Sequence, residues 1–444
     1  MRLAEHQYKT ISSIRSQLLM VEQVTAVRLG EVVRVIGPDG QSQEGEVLLI
    51  DGHTVLIQIF GECRGLDLKE STVIFTDAIK QAPLSPHMLN RVFNGSFLPI
   101  DGLPTPLPEK WVPVAGVPIN PTSRARPEEF IETGFSAIDG LSTLVKGQKL
   151  PIFSCAGLPA KEIAAAILKN CTLTGADQGQ KQAVVFVALG LSHYEYSFYI
   201  KTLTAIETNF VAFINLSSDP VVERLLAPRF GLTVAEYLAF EKDMDVLVVI
   251  TDMTNYCDAL REISTSREEL PGRRGYPGYM YSDLASLFER AGRIKDQAGS
   301  VTMLPIVTMP EDDITHPIPD LTGYITEGQI VLSRDLHRQG IFPPIDVLPS
   351  LSRLMQQGIG KGRTRDDHRQ IANRLYKYYA KGRDLRGLEA IVGRDGMSGS
   401  DRNILDFSET FEKEFVNQGA SRRSISATLD AGLAILKRYG LEDT

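Results

Sequence analysis

Leu150-Pro151-Ile152-Phe153-Ser154-Cys155-Ala156-Gly157-Leu158-Pro159-Ala160-Lys161-Glu162, running on into Ile163-Ala164-Ala165-Ala166-Ile167-Leu168, is the stretch that decides the fold. A short apolar strand enters a glycine-bearing turn and leaves as an apolar helix, which is the setting of a phosphate loop. A working loop reads G-x-x-x-x-G-K-[ST]. Its glycines let backbone N–H groups converge on phosphate oxygens, its lysine meets the terminal phosphates, and its hydroxyl holds magnesium. Anchored on Gly157, the pattern puts Ser154 and Pro159 at the two signature glycines, with Ala160 and Lys161 at the lysine and hydroxyl places. Pro159 has no N–H to donate and a fixed φ, so the cradle loses a donor where phosphate comes closest. Shifting by one position restores Lys161 as the lysine, but Glu162 then replaces the hydroxyl and repels phosphate. Either register is a degenerate loop.

Outward from this point, apolar runs alternate with helical patterns. Strands are expected over 149–154, 183–189, 210–215, 245–251, 302–308 and 329–332. Helices are expected over 161–171, 221–226, 234–242, 258–268 and 283–294. That alternation implies right-handed crossovers and a largely parallel sheet buried on both faces. Upstream, the strand-like runs at 31–36, 46–50 and 55–60 are separated by Gly37-Pro38-Asp39-Gly40 and Asp51-Gly52, the pattern of a small antiparallel barrel. Residues 81–127 are rich in proline and suit an extended wrapping connector. Downstream, 368–381, 404–417 and 424–439 carry apolar positions at helical spacing, with Gly382 and Gly419 as stops. The expected architecture is multidomain α/β: a β-barrel over 1–76, an α/β domain over 77–350 and a helical bundle over 351–444.

Composition narrows the function. The chain has 444 residues, 43% hydrophobic and 23% charged, values of ordinary globular proteins with more than one core. A net charge of −8 weighs against extensive contact with a phosphate backbone, so no nucleic-acid partner is expected. No window approaches the ~20 apolar residues that span a bilayer, and the first fifteen residues are too polar for a secretory signal. Cys63, Cys155, Cys171 and Cys257 are far apart and lack CxxC spacing, so reduced thiols are expected and no metal site.

Two further positions bear on the loop. Asp252 ends the apolar run Val246-Leu247-Val248-Val249-Ile250-Thr251, where phosphate-loop enzymes place a magnesium-organising aspartate. After the second strand, where some ATPases carry a glutamate that activates water, the chain reads Gly190-Leu191-Ser192. Leucine cannot orient or polarise water.

Longer motifs then resemble a known family. Glu132-Thr133-Gly134-Phe135-Ser136-Ala137-Ile138-Asp139-Gly140, Leu144 to Ser154, and Thr251-Asp252-Met253-Thr254-Asn255-Tyr256 are similar to the B subunits of V/A-type rotary ATPases. So are Pro271-Gly272-Arg273-Arg274-Gly275-Tyr276-Pro277-Gly278, the run from Asp312 to Ile330, and Leu348-Pro349-Ser350-Leu351-Ser352-Arg353-Leu354-Met355 with Gly362 to His368. The match covers nearly the whole chain, and it implies that the α/β domain between the β-barrel and the C-terminal helical bundle is a RecA-like nucleotide-binding-type domain with a degenerate phosphate loop.

The resemblance implies a non-catalytic, regulatory subunit, inactive alone, that alternates with catalytic A subunits in an A3B3 hexamer. It implies an ATP site completed at the A–B interface, with ATP or ADP and Mg²⁺ bound mainly by the A subunit. Turnover there would be coupled to proton or sodium transport. It also implies a central rotor shaft near the Pro271 to Gly278 loop, a peripheral stalk at the N-terminal end, and a cytoplasmic head touching the membrane only through the complex. The family's trans-acting arginine falls on Arg353, with Tyr324 a further candidate at the same interface. An arginine inserted from a neighbour is worth roughly 10³–10⁵ in phosphoryl-transfer rate, and its planar fork suits phosphate oxygens. Lys361, Arg363 and Arg365 read as packing contacts, and His316 as a satisfied loop histidine. The competing expectation is an active homohexameric RecA-like motor, against which Ser154, Pro159 and Leu191 speak.

Overall fold

The computed structural model describes residues 6–15, 17–61, 63, 65–171 and 181–442. Residues 1–5 of the polar N-terminal stretch and 443–444 of the last domain lie outside the described residues.

Among the described residues, the N-terminal unit is a seven-stranded antiparallel sheet. Its strands run in the order His6–Tyr8, Thr72–Ile79, Glu31–Ile36, Ser42–Asp51, Thr54–Ile59, Leu18–Val21, Ile11–Arg15. The pleat sends Val33, Val35, Val47, Val55, Ile57, Val73 and Phe75 into one apolar cluster, which makes this the small barrel that the alternating runs imply. The turn at Gly37 to Gln41 closes with Gly37 N donating to the Gln41 carbonyl at 2.9 Å. The strand Thr72–Ile79 runs past residue 76.

The central sheet runs Ile345–Ser352, Gly328–Leu332, Ile152–Cys155, Ser300–Met309, Met244–Thr251, Lys181–Leu191, Asn209–Leu216, Arg91–Asn94. All neighbours are parallel except the first pair. Along Met244–Thr251, Leu247 and Val249 enter the core on one face while Val246, Val248 and Ile250 enter the core on the other. A strand covered on both sides must be apolar throughout, which is why these runs do not alternate.

The structure corrects several expectations. The connector is partly sheet: Gln81–Leu84 pairs with Lys110–Pro113, and Arg91–Asn94 closes the edge of the central sheet. Proline lacks the ladder donor, so such strands sit at edges and between prolines, where a proline count hides them. The helices expected over 221–226 and 234–242 are one helix, Val221–Phe240, with Pro228 inside. Proline and glycine cost an isolated helix about 3 and 1 kcal/mol. Here Ala227, Phe230, Leu232, Val234 and Ala235 are buried against the sheet, and that packing outweighs the propensity. The helix expected at 283–294 is Met280–Phe288, after which Gly292–Arg293 pairs as strand. The helix His193–Leu203 was not anticipated, although Ser192 and Glu195 form a complete capping box at its start.

The C-terminal bundle contains His368–Val392, Gly399–Thr410 continuing through a wider turn over Phe411–Val416, and Ile425–Arg438. Gly419 ends its segment at φ +65°. Gly382 does not stop a helix: it lies inside His368–Val392, buried against Ser408. The cluster formed by one face of the central sheet continues into this bundle through Ile371, Leu375, Phe407, Phe411 and Leu436.

Candidate functional site

A cleft of about 480 Å³ opens at the carboxyl ends of the parallel strands, where open α/β sheets bind ligands. The 154–162 turn forms its floor, and Leu191, Glu195, Asp252, Thr308 and His337 line its sides. Ser154, Gly157, Pro159, Lys161 and Asp252, scattered over a hundred residues of chain, therefore meet in one place. Glu195 and His337 are lining residues that sequence reasoning missed. The capping box marks Glu195 locally, whereas nothing near His337 in sequence points to the cleft.

The loop spends its own donors. Leu158 N–H bonds the Cys155 carbonyl at 3.1 Å and Ala160 N–H bonds the Leu158 carbonyl at 2.8 Å. Pro159, between them, stands at the helix N-terminus with no side-chain cap. Gly157 turns the chain at φ +81° with nothing within 4 Å of where a Cβ would sit, so the space of a cradle persists while two of its donors are turned inward. Ser154 is buried, and its hydroxyl donates to the Cys155 carbonyl at 3.3 Å.

Charge in the cleft opposes phosphate as well. Lys161 Nζ lies 3.9 Å from Glu162 Oε1 and 5.0 Å over the Tyr194 ring. Glu162, Glu195 and Asp252 together press on the buried Tyr199 hydroxyl, which burial and those carboxylates hold above its ordinary pKa. Asp252 caps the helix Met253–Ser266, accepting from Thr254 N at 2.8 Å, and clamps the next strand by accepting from Thr308 N at 3.1 Å on each oxygen. Burial raises its pKa against those hydrogen bonds. Leu191 is buried in the core and presents no polar group. The residues present do not fit a magnesium-bound nucleoside triphosphate in the usual way: two loop donors are turned inward, Pro159 has none, the magnesium hydroxyl is absent, and one lysine faces three carboxylates.

Arg353 sits elsewhere. It follows directly on the antiparallel edge strand Ile345–Ser352, whose Ser352 pairs with Gly328. Ile330 pairs in turn with Ile152 at the start of the loop strand. Arg353 is thus at the amino end of the parallel strands and the cleft at their carboxyl end, about 16 Å away along the strand direction alone. Its side chain is exposed, and Nη1 donates to the Thr326 carbonyl at 3.2 Å. Tyr324, at the end of the helix Pro317–Ile325, is 73% exposed and is not a core aromatic. Tyr324 lies two residues before Thr326, whose carbonyl Arg353 meets, and neither Arg353 nor Tyr324 lines the cleft of their own chain.

Of the other basic residues singled out, Arg273, Arg274, Arg363 and Arg365 are tied down, while Lys361 is exposed. Arg273 reaches Asp320 at 3.1 Å and Arg274 reaches Asp313 at 3.0 Å, which anchors the 271–278 loop to the helix Pro317–Ile325 and to the segment before it. Arg363 bridges to Glu128 at 2.8 Å, and Arg365 pairs with Asp367 and Asp430. The Arg363 pair joins the bundle to the α/β domain, and the Arg365 pairs are contacts within the bundle. His316 is buried, accepts from Ile318 N at 3.3 Å and packs edge-on to Tyr276. The four cysteines are free thiols.

Comparison with known proteins agrees with this arrangement in every part of the chain. Residues 11–77 match the beta-barrel domain of the ATP synthase alpha/beta family, 134–352 its nucleotide-binding domain, and 357–443 the C-terminal domain of V and A type ATP synthase. The V-type ATP synthase beta chain of Geotalea uraniireducens is 69% identical over 442 residues, covering 100% of both chains. That of Thermus thermophilus is 51% identical over 443 residues, covering 98% of this chain and 93% of its own. Among solved structures, the ATP synthase subunit NeqB from Nanoarcheaum equitans is 40% identical and superposes with a TM-score of 0.75, over 96% of this chain and 99% of that one. With all three domains matched in order and relatives aligned from end to end, the chain belongs to the ATP synthase alpha/beta family, among the V-type ATP synthase beta chains.

Proposed function

We propose that the chain is the non-catalytic B subunit of a V/A-type rotary ATP synthase head, alternating with catalytic A subunits in an A3B3 hexamer. It completes the ATP site of the neighbouring A subunit and helps couple ATP hydrolysis or synthesis to proton or sodium transport. The observation that carries this reading is the exposed Arg353 at the opposite end of the sheet from its own degenerate loop. A guanidinium in that position cannot serve the phosphate cleft of its own chain. It is free to meet phosphate oxygens across a subunit boundary, with the exposed Tyr324 two residues before the Thr326 carbonyl that it meets. ATP or ADP and Mg²⁺ then belong mainly to the A subunit, since this chain's loop lacks the groups that hold them.

The anchored 271–278 loop faces the rotor shaft in this reading, and the barrel faces the peripheral stalk. Among the described residues no helix is long and apolar enough to cross a membrane, consistent with a cytoplasmic head attached through the rest of the complex.

The test is turnover of a reconstituted A–B complex carrying Arg353→Ala or Arg353→Lys. Loss of the trans guanidinium lowers kcat by roughly 10³-fold or more, and lysine restores little because it cannot bind in a fork. Unchanged turnover removes Arg353 from the site. ATP hydrolysis by the purified chain alone, at an ordinary enzymatic rate, overturns the non-catalytic assignment.

A further inference from the structure

We infer that Gln148, with Lys149 beside it, is the positioning residue that fixes Arg353 for its role at the neighbouring site; this inference rests on the trans role proposed above. Gln148 is completely buried and every arm of its amide is used. Its Oε1 accepts from Val145 N at 3.0 Å, while Nε2 donates to the Glu327 carbonyl at 3.2 Å and to Ser352 Oγ at 2.9 Å. Ser352 Oγ in turn donates to the Thr143 carbonyl at 2.8 Å. The Glu327 carbonyl that receives Gln148 also receives the backbone N–H of Arg353 at 2.9 Å. One side chain therefore holds both the residue before Arg353 and the carbonyl on which Arg353 itself hangs.

Lys149 fastens the same seat from the other side. Its N–H donates to Glu327 Oε2 at 2.9 Å, and its buried Nζ lies 2.7 Å from Glu327 Oε1. Glu327 N–H returns a bond to the Lys149 carbonyl at 3.1 Å. The segment 326–327, whose carbonyls carry the backbone and the head of Arg353, is thus tied rigidly to 148–149. The guanidinium itself keeps one hydrogen bond, to the Thr326 carbonyl, on an exposed surface. A fixed backbone under a lightly held head is what a group acting across an interface requires, because a misplacement of about 1 Å can cost a hundredfold in rate. The segment that leads into the loop strand Ile152–Cys155 thus seats the arginine.

The experiment measures kcat and KM for ATP in the reconstituted A–B complex with Gln148→Leu and with Ser352→Ala, each with Arg353 intact and with Arg353→Ala. Ser352→Ala removes only one hydroxyl of the network and serves where the buried leucine prevents assembly. With Arg353 intact, we expect kcat to fall about tenfold or more while KM stays within about twofold, the signature of an interaction expressed in the transition state. With Arg353→Ala, the same variants should cause no additional loss, because nothing remains to be positioned. An equal fall on both backgrounds, or no fall with Arg353 intact, overturns the positioning role. If Arg353→Ala alone leaves kcat unchanged, the trans role fails and the inference falls with it. A slow Arg353→Ala beside unaffected Gln148 and Ser352 variants condemns the positioning role only.

Discussion

Gly382 and Ser408 meet across two packed helices with no room for a side chain between them. A Cβ on Gly382 would collide with the Ser408 Cβ and lie 2.9 Å from its Oγ and 3.2 Å from the Ile404 carbonyl. Alanine gains roughly 1 kcal/mol of helix propensity over glycine, while overpacking costs about 1–3 kcal/mol. Gly382→Ala should therefore destabilise the C-terminal bundle by on the order of 1–2 kcal/mol in urea unfolding. Adding Ser408→Gly should recover most of the loss. A stabilised Gly382→Ala protein would show that the two helices can separate at no cost.

The degenerate loop can be tested by repair. Pro159→Gly with Ala160→Lys and Lys161→Thr restores a donor, the phosphate lysine and the magnesium hydroxyl in the register set by Gly157. The purified triple variant should bind magnesium ATP at least tenfold more tightly than the wild-type chain by calorimetry, a gain of about 1.4 kcal/mol. Adding Glu162→Gln should strengthen it further by removing a carboxylate from the cleft. No gain in either protein would mean that the cleft fails for reasons beyond these residues.

Lys146 and Asp245 form an ion pair at 2.8 Å with both side chains buried. Lys146 also pairs with Glu129 at 2.7 Å, but Asp245 without Lys146 is a buried carboxylate with no opposite charge, and breaking such a pair costs about 3–5 kcal/mol in other proteins. Lys146→Met should lower stability by an amount of that order, partly offset by Ser300, whose hydroxyl donates to Asp245 at 2.5 Å. Lys146→Met combined with Asp245→Leu should be less destabilised than Lys146→Met alone. A double variant no better than the single one argues against an uncompensated charge as the cause.

Asp139 gives a pH dependence of defined sign. Burial raises its pKa from 3.8 to about 7, against the hydrogen bonds that Thr133 and Gly134 donate to its carboxylate. The folded chain then holds a proton that the unfolded chain releases, so this group's contribution is full below 3.8 and is lost as pH rises through about 7. Unfolding midpoints measured across that window should fall with rising pH more steeply in the wild type than in Asp139→Asn. Parallel curves would exclude Asp139 as the titrating group.

The loop's failure was legible in the sequence because it is a matter of covalent groups. Pro159 has no N–H in any conformation, and Leu191 has no polar atom wherever it is placed. The barrel, the alternating domain and the helical end were legible for a related reason: periodicity and turn residues act over a few positions. The same local reasoning missed the capping box at Ser192, a signal that was present, and placed a stop at Gly382, where the glycine answers to Ser408 on another helix. It also read the proline-rich connector as pure linker, because an edge strand such as Arg91–Asn94 is defined by its neighbour Asn209–Leu216 and not by its own composition.

The sequence by itself determined which covalent groups of a phosphate loop this chain lacks and, through long motifs, which family it resembles. Only the tertiary structure decided where Arg353 points. Its position follows from the antiparallel pairing of Ile345–Ser352 with Gly328–Leu332, which sends the chain back to the amino end of a sheet whose loop opens at the carboxyl end. Strand direction is set by hydrogen bonds between segments far apart in the chain, and no local pattern around Arg353 encodes it.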